Sequence, residues 1–223
     1  MILLGIETAA ELVGVALADD DGPLAGTFVR GERRHAETLA PAIGHVLAQA
    51  GLALKALDAV ALDVGPGLFT GIRVGVATAQ GLAEGLGIGI VPVTSVAVLA
   101  REVYDAGWDG PVAAVVDARR GEVFCARYSG PEEETHPPAR YSPEALAAEL
   151  AAEPGVLLAG TGARRYAASF AGFRVAAVVH PSPRALVAVA ADRLAAGERP
   201  VAPAEVRPVY LREADARINW VQR

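Results

Sequence analysis

The chain is 223 residues long, 52% hydrophobic and 21% charged, a globular composition with room for one large domain or two half-sized ones sharing an interface. Its formal net charge is -6, and its arginines are scattered apart from the doublets Arg33-Arg34, Arg119-Arg120 and Arg164-Arg165, which argues against direct nucleic-acid binding by this chain alone. No apolar stretch reaches roughly 18 residues free of Gly, Pro or charge, and the start Met1-Ile2-Leu3-Leu4 carries no basic leader, so the expectation is a cytoplasmic protein without membrane contact.

Three strands open the chain as an antiparallel meander, Ile2 to Glu7, Leu12 to Ala18 and Leu24 to Arg30, with a turn at Asp19-Asp20-Asp21-Gly22-Pro23. A helix follows from Glu37 to Ala50, with Leu39, Ile43, Val46, Leu47 and Ala50 on one face and Gly51 as its stop. Asp58 to Val64 reads as a strand buried on both faces, the loop Gly65-Pro66-Gly67 turns the chain, and a second helix runs from Thr70 to Leu86 before a strand at Ile88 to Val93. Hairpins and crossovers mixed in one half suggest a ribonuclease-H-like layer.

The second half repeats the plan with strands Val112 to Asp117 and Glu122 to Ser129 joined at Ala118-Arg119-Arg120-Gly121. The lone Cys125 sits in the second of these and reads as a buried, inert thiol with no disulfide partner. Pro131 to Pro138 reads as a polar surface excursion. Beyond it come a helix (Pro143 to Ala152), a strand (Val156 to Ala159), a helix near Ala163 to Phe170, a strand (Phe173 to Val178) and a helix (Pro183 to Ala196). The division expected is 1–104 for the first lobe and 105–223 for the second.

Each glycine within a helix forgoes about 1 kcal/mol relative to alanine, so Gly71, Gly75, Gly81 and Gly85 need a reason. Gly71, Gly75 and Ala79 fall at successive four-residue steps, as do Gly81 and Gly85, and leave smooth faces for close approach by a neighbour, either the chain's own helix from Glu37 to Ala50 or another protein. The preceding loop has a second reading as an anion site. The amides at Thr70-Gly71-Ile72 are unpaired within the helix and carry partial positive charge, with Arg73 one turn in.

The motifs Gly5-Ile6-Glu7-Thr8, Arg34-His35-Ala36-Glu37, Gly65-Pro66-Gly67 with Phe69-Thr70-Gly71 and Arg73, Asp117-Ala118-Arg119 with Glu122-Val123-Phe124, and Pro208-Val209-Tyr210-Leu211-Arg212 resemble, in that order, the TsaB (YeaZ) family. The family takes part in making threonylcarbamoyladenosine in tRNA and is a paralogue of TsaD. The resemblance implies an α/β, two-lobed fold of the actin, sugar kinase and Hsp70 type. It also implies a scaffold subunit that does no chemistry itself, binds the transferase TsaD as a heterodimer and helps recruit the ATPase TsaE, meeting tRNA through the complex. The implied partner surface maps to Leu39, Ile43 and Val46 on one helix and to Ile72, Gly75, Ala79 and Leu82 on the next, and alone the same helices could pair as a homodimer. ATP or ADP at the shared interface would meet Gly65, Gly67, Thr70, Gly71 and Arg73.

The competing reading is an autonomous nucleotide-hydrolysing or M22-type peptidase enzyme of the same fold. Glu7 stands after the first strand, where an actin-type ATPase keeps a carboxylate, and Asp117 ends the first strand of the second half, but structural pairing accounts for Glu7 better. The histidine pair of the catalytic relative is broken here. His35 is followed four residues later by Leu39, and His45, His136 and His180 have no partner at metal-ligand spacing, so neither a metal site nor a catalytic residue is expected. A P-loop lysine is missing, Lys55 being the only lysine, and Leu68 replaces the serine usual in the family.

Overall fold

The computed structural model describes residues 1–30 and 34–211, so Arg33, Arg212 and the tail from Glu213 to Arg223 lie outside the described residues. Strands β1 (Leu3–Glu7), β2 (Leu12–Asp19) and β3 (Gly22–Arg30) form the antiparallel meander. Helix α1 (His35–Ala50), β4 (Ala59–Asp63), α2 (Phe69–Leu86) and β5 (Gly89–Val93) complete a five-stranded sheet in the order β3-β2-β1-β4-β5, with β4 parallel to both β1 and β5. Gly51 and Gly87 adopt left-handed conformations that end α1 and α2, as expected of helix-stopping glycines.

After α3 (Ser95–Asp105), a second sheet forms from β6 (Val112–Arg119), β7 (Glu122–Gly130) and β8 (Glu133–Tyr141), with α4 (Pro143–Leu150), β9 (Leu157–Ala159), α5 (Thr161–Arg165), β10 (Arg174–Val175) and α6 (Pro183–Ala195) following. Its order is β10-β9-β6-β7-β8, which repeats the first sheet's arrangement of antiparallel meander beside parallel strands. Helices α1 and α2 cover the outer face of the first sheet, and α4 covers the outer face of the second. Between the sheets lie α3 and α6, whose Val98, Leu99, Leu186 and Val189 join Leu3, Ala61, Val91, Val112, Ala114 and Phe124 in one core.

The sequence boundary at 104/105 separates the two sheets, but the chain crosses back. Helix α6 packs on β1 and β2, close enough that a Cβ on Gly5 would lie 2.6 Å from Val187 and one on Gly14 would lie 2.8 Å from Pro183. These two strand glycines are gaps into which a helix start fits. Residues 200–211 then run over the first sheet's α2 side. Val201 bridges Ile90, Gln80 Nε2 donates to the Pro203 carbonyl at 2.9 Å, and Val209 N donates to the Val64 carbonyl at 2.8 Å. No described helix is long and apolar enough to cross a membrane.

Candidate functional site

The Gly65 to Gly75 run meets the loop after β1. A Cβ on Gly67 would sit 2.3 Å from the Ala9 carbonyl, one on Gly71 would sit 2.0 Å from the Thr8 carbonyl, and one on Gly75 would sit 2.3 Å from Thr8 Oγ1. These approaches leave no room for any side chain. That loop takes up one donor of the turn, Leu68 N donating to the Ala9 carbonyl at 2.7 Å, and the end of β4 takes another, Gly65 N donating to Asp63 Oδ1 at 2.7 Å. Gly65, at φ +97°, packs on Ile72 and the Val209 carbonyl.

This geometry corrects the expected partner surface. Leu39, Ile43, Val46, Ile72, Gly75 and Ala79 are all buried in the first sheet's own core, and Leu82 is half-buried against it, so a partner would find these side chains already occupied. The apolar periodicity marked the inward face of each helix. The outward face is different and equally regular: Ala36, Ala40, Gly44 and Ala48 are exposed at four-residue steps on α1, and Phe69, Arg73, Ala77, Gly81 and Gly85 are exposed at the same steps on α2. A Cβ at Gly44, Gly81 or Gly85 would meet nothing within 4 Å.

The α2 ridge ends in a bulky cluster that sequence alone did not single out. The Arg73 guanidinium lies 3.9 Å from the Phe69 ring centre, and its Nε donates to the Tyr210 hydroxyl at 3.1 Å. The Phe69 and Tyr210 rings are 5.2 Å apart. Phe69 and Tyr210, each 45% exposed, thus remain in solvent as a fixed unit. The only sequence signal for it was proximity of Phe69 and Arg73 on one helix turn, since Tyr210 arrives from the far end of the chain.

Beside this cluster a cavity of about 870 Å³ opens between the two sheets, lined by Gly67, Arg73, Leu99, Phe124, Arg164 and Leu211 among others. Of the residues expected around an interface anion, Gly67 and Arg73 reach this lining; Gly65 and Gly71 are packed inside, and Thr70 is exposed at the start of α2. Asp117 faces the cavity but is committed within the fold. Its Oδ1 accepts from Arg119 N at 2.9 Å and from the Tyr166 hydroxyl at 3.3 Å, and its Oδ2 lies 3.5 Å from Arg165 Nε. Nearby, Gly160 packs on the Val115 carbonyl and Gly162 on the Val115 side chain.

Glu7 does not line the cavity; it is wholly buried beside Asp63. His35 is buried too, its Nε2 2.9 Å from the Ala10 carbonyl and its ring against Gly71. Burial pushes the Cys125 thiol up to about 12, so its reactive thiolate form is disfavoured. Among the described residues no group of three or more His, Cys, Asp or Glu side chains could hold a metal ion.

The family described as "TsaD: tRNA N6-adenosine threonylcarbamoyltransferase" matches residues 30–220. The Mycobacterium tuberculosis protein Rv3421c, uncharacterised, is 35% identical over 96% of this chain and 93% of its own length. Escherichia coli "tRNA threonylcarbamoyladenosine biosynthesis protein TsaB" is 36% identical over 59% of this chain, which spans 57% of that protein; against the uncharacterised Mycobacterium leprae protein ML0378 the chain spans 56%. Among solved structures, YeaZ from Pseudomonas aeruginosa superposes with a TM-score of 0.84 at 32% identity, over 94% of this chain and 99% of that one. A component of (R)-2-hydroxyglutaryl-CoA dehydratase from Acidaminococcus fermentans shares the two-lobed fold at a TM-score of 0.53 and 12% identity. On these matches, the chain belongs to the TsaB/YeaZ family.

Proposed function

We propose that this chain is a non-catalytic partner subunit in the synthesis of threonylcarbamoyladenosine in tRNA, and that it works by binding TsaD through the exposed ridges of α1 and α2. The observation that carries the reading is the pair of solvent-facing small-residue ridges, Ala36-Ala40-Gly44-Ala48 and Ala77-Gly81-Gly85, on adjacent helices. Small residues at four-residue steps let a partner helix approach closely, and the chain's own core makes no use of them. Phe69, Arg73 and Tyr210 supply an aromatic and arginine anchor at one end, the residue types that dominate binding energy at interfaces. In this reading the complex with TsaD recruits TsaE and meets tRNA, and any nucleotide at the junction would reach this chain at the lining formed by Gly67 and Arg73.

Gly81→Trp tests the surface directly. A Cβ at Gly81 meets nothing, so the variant is expected to stay folded, with a Tm close to wild type, while capture of TsaD by the tagged protein falls at least tenfold. Undiminished capture by a folded Gly81→Trp together with a folded Gly44→Trp would remove α1 and α2 as the docking face. Light scattering of the purified chain with and without TsaD separates a heterodimer from a homodimer built on the same ridges.

A further inference from the structure

Glu7 and Asp63 stand side by side at the carboxyl ends of two neighbouring parallel strands, one register step beyond the Ile6 and Leu62 pair. Both are fully buried, and their place in the register puts their side chains on the same face of the sheet, on adjacent strands. One oxygen of each is satisfied: Glu7 Oε1 accepts from Ala9 N at 2.8 Å, and Asp63 Oδ1 accepts from Gly65 N and from the Ser95 hydroxyl, each at 2.7 Å. The other oxygens, Glu7 Oε2 and Asp63 Oδ2, have no donor. A buried acceptor without a donor costs about 1 to 3 kcal/mol, and more when charged, so two together call for a common remedy.

We propose that Glu7 and Asp63 share one proton in the folded protein, forming a pH-sensitive clasp between the ends of β1 and β4. The proton makes one carboxyl the donor to the other and removes one of two adjacent buried charges. Gly14 of β2, with Pro183 of α6 packed on it, lies against Glu7, and Ser95 of α3 lies against Asp63. Charged and titratable groups on the neighbouring helices have contacts of their own: His35 of α1 with Ala10, Arg73 of α2 with Tyr210, Arg101 of α3 with Asp105 and Asp192, and Glu102 of α3 beside Ser182. Burial, reinforced for Glu7 by the adjacent Asp63, raises both groups above the ordinary carboxylate range.

The clasp sits under the functional face. Thr8, next to Glu7, is the residue on which Gly71 and Gly75 of α2 rest, and Gly65, bonded to Asp63, begins the turn into α2. Loss of the proton places two like charges at the joint that seats α2.

The sign follows from the protons held. The folded pair keeps a proton after Glu and Asp in the unfolded chain have lost theirs, near pH 4, so this contribution to stability is largest at low pH and declines as pH rises to the folded value. Thermal unfolding of the wild type, Glu7→Gln and Asp63→Asn from about pH 4 upward, until the folded pair has lost its proton, tests the clasp. The wild-type Tm is expected to fall by about 3 to 5 °C per pH unit through the window, in excess of the amide variants, whose N–H replaces the shared proton permanently. Parallel profiles for all three proteins would overturn the proposal. Infrared spectra of the wild type give a reading that does not depend on the variants folding: a protonated carboxyl band present at neutral pH and lost in alkali is expected, and its absence at neutral pH would equally overturn the clasp.

Discussion

Two glycines of one helix show what a single missing Cβ does in opposite settings. Gly71 faces the Thr8 carbonyl, where an added Cβ would lie at 2.0 Å from backbone that has little freedom to yield, so Gly71→Ala is expected to destabilise the fold by about 2 to 3 kcal/mol in chemical denaturation. Gly81 is exposed and opens on empty space, so Gly81→Ala is expected to stabilise by about 0.5 to 1 kcal/mol, the helix-propensity difference alone. Denaturant midpoints with unchanged m-values would establish both effects. The sequence raised the right question about these glycines, leaving open whether their neighbour is α1 or another protein; for Gly71 and Gly75 it is Thr8. Spacing reveals that a face is smooth without saying what lies against it, and here Thr8, more than sixty residues earlier, decides.

At the scale of elements, the strands and helices with clear periodicity were legible, and two segments were not. Helix α3 went unassigned because Ser95 to Ala100 is buried on every side, so its apolar run lacks the alternation of polar and apolar faces that marks a surface helix. Strand β8 read as a polar excursion because Glu133 to His136 and the pair Pro137-Pro138 are disfavoured in strands. It is tolerated as the outermost strand of its sheet, where one side needs no ladder bonds. Helix α4 is tied down to the second sheet by Arg127 of β7, whose nearly buried guanidinium pairs with Glu149 of α4 and with Glu153 just beyond it. Arg127→Met is expected to cost about 2 kcal/mol, at the lower end for a broken buried pair because both acids keep access to water, and to speed hydrogen exchange in α4 before the first sheet.

Across the whole molecule, two similar sheets enclose α3 and α6, and the chain returns after α6 to strap residues 200–211 over α2. The two-lobed plan was legible because each half carries its own meander and its own crossovers. The return was not, since nothing in the residues of α6 tells which sheet it covers. Of the carboxylates that a catalytic reading would recruit, Asp117 is held by Arg119, Arg165 and Tyr166, and Glu7 is wholly buried beside Asp63. In the proposed reading, what the frame leaves to a partner is the outer face of α1 and α2. The most direct measurement is the threonylcarbamoyladenosine content of tRNA, by nucleoside mass spectrometry, in cells whose only copy of this protein is wild type or Gly81→Trp. The account predicts that the modification is lost in the variant while the folded protein is present at the wild-type level; unaltered modification in those cells would contradict it.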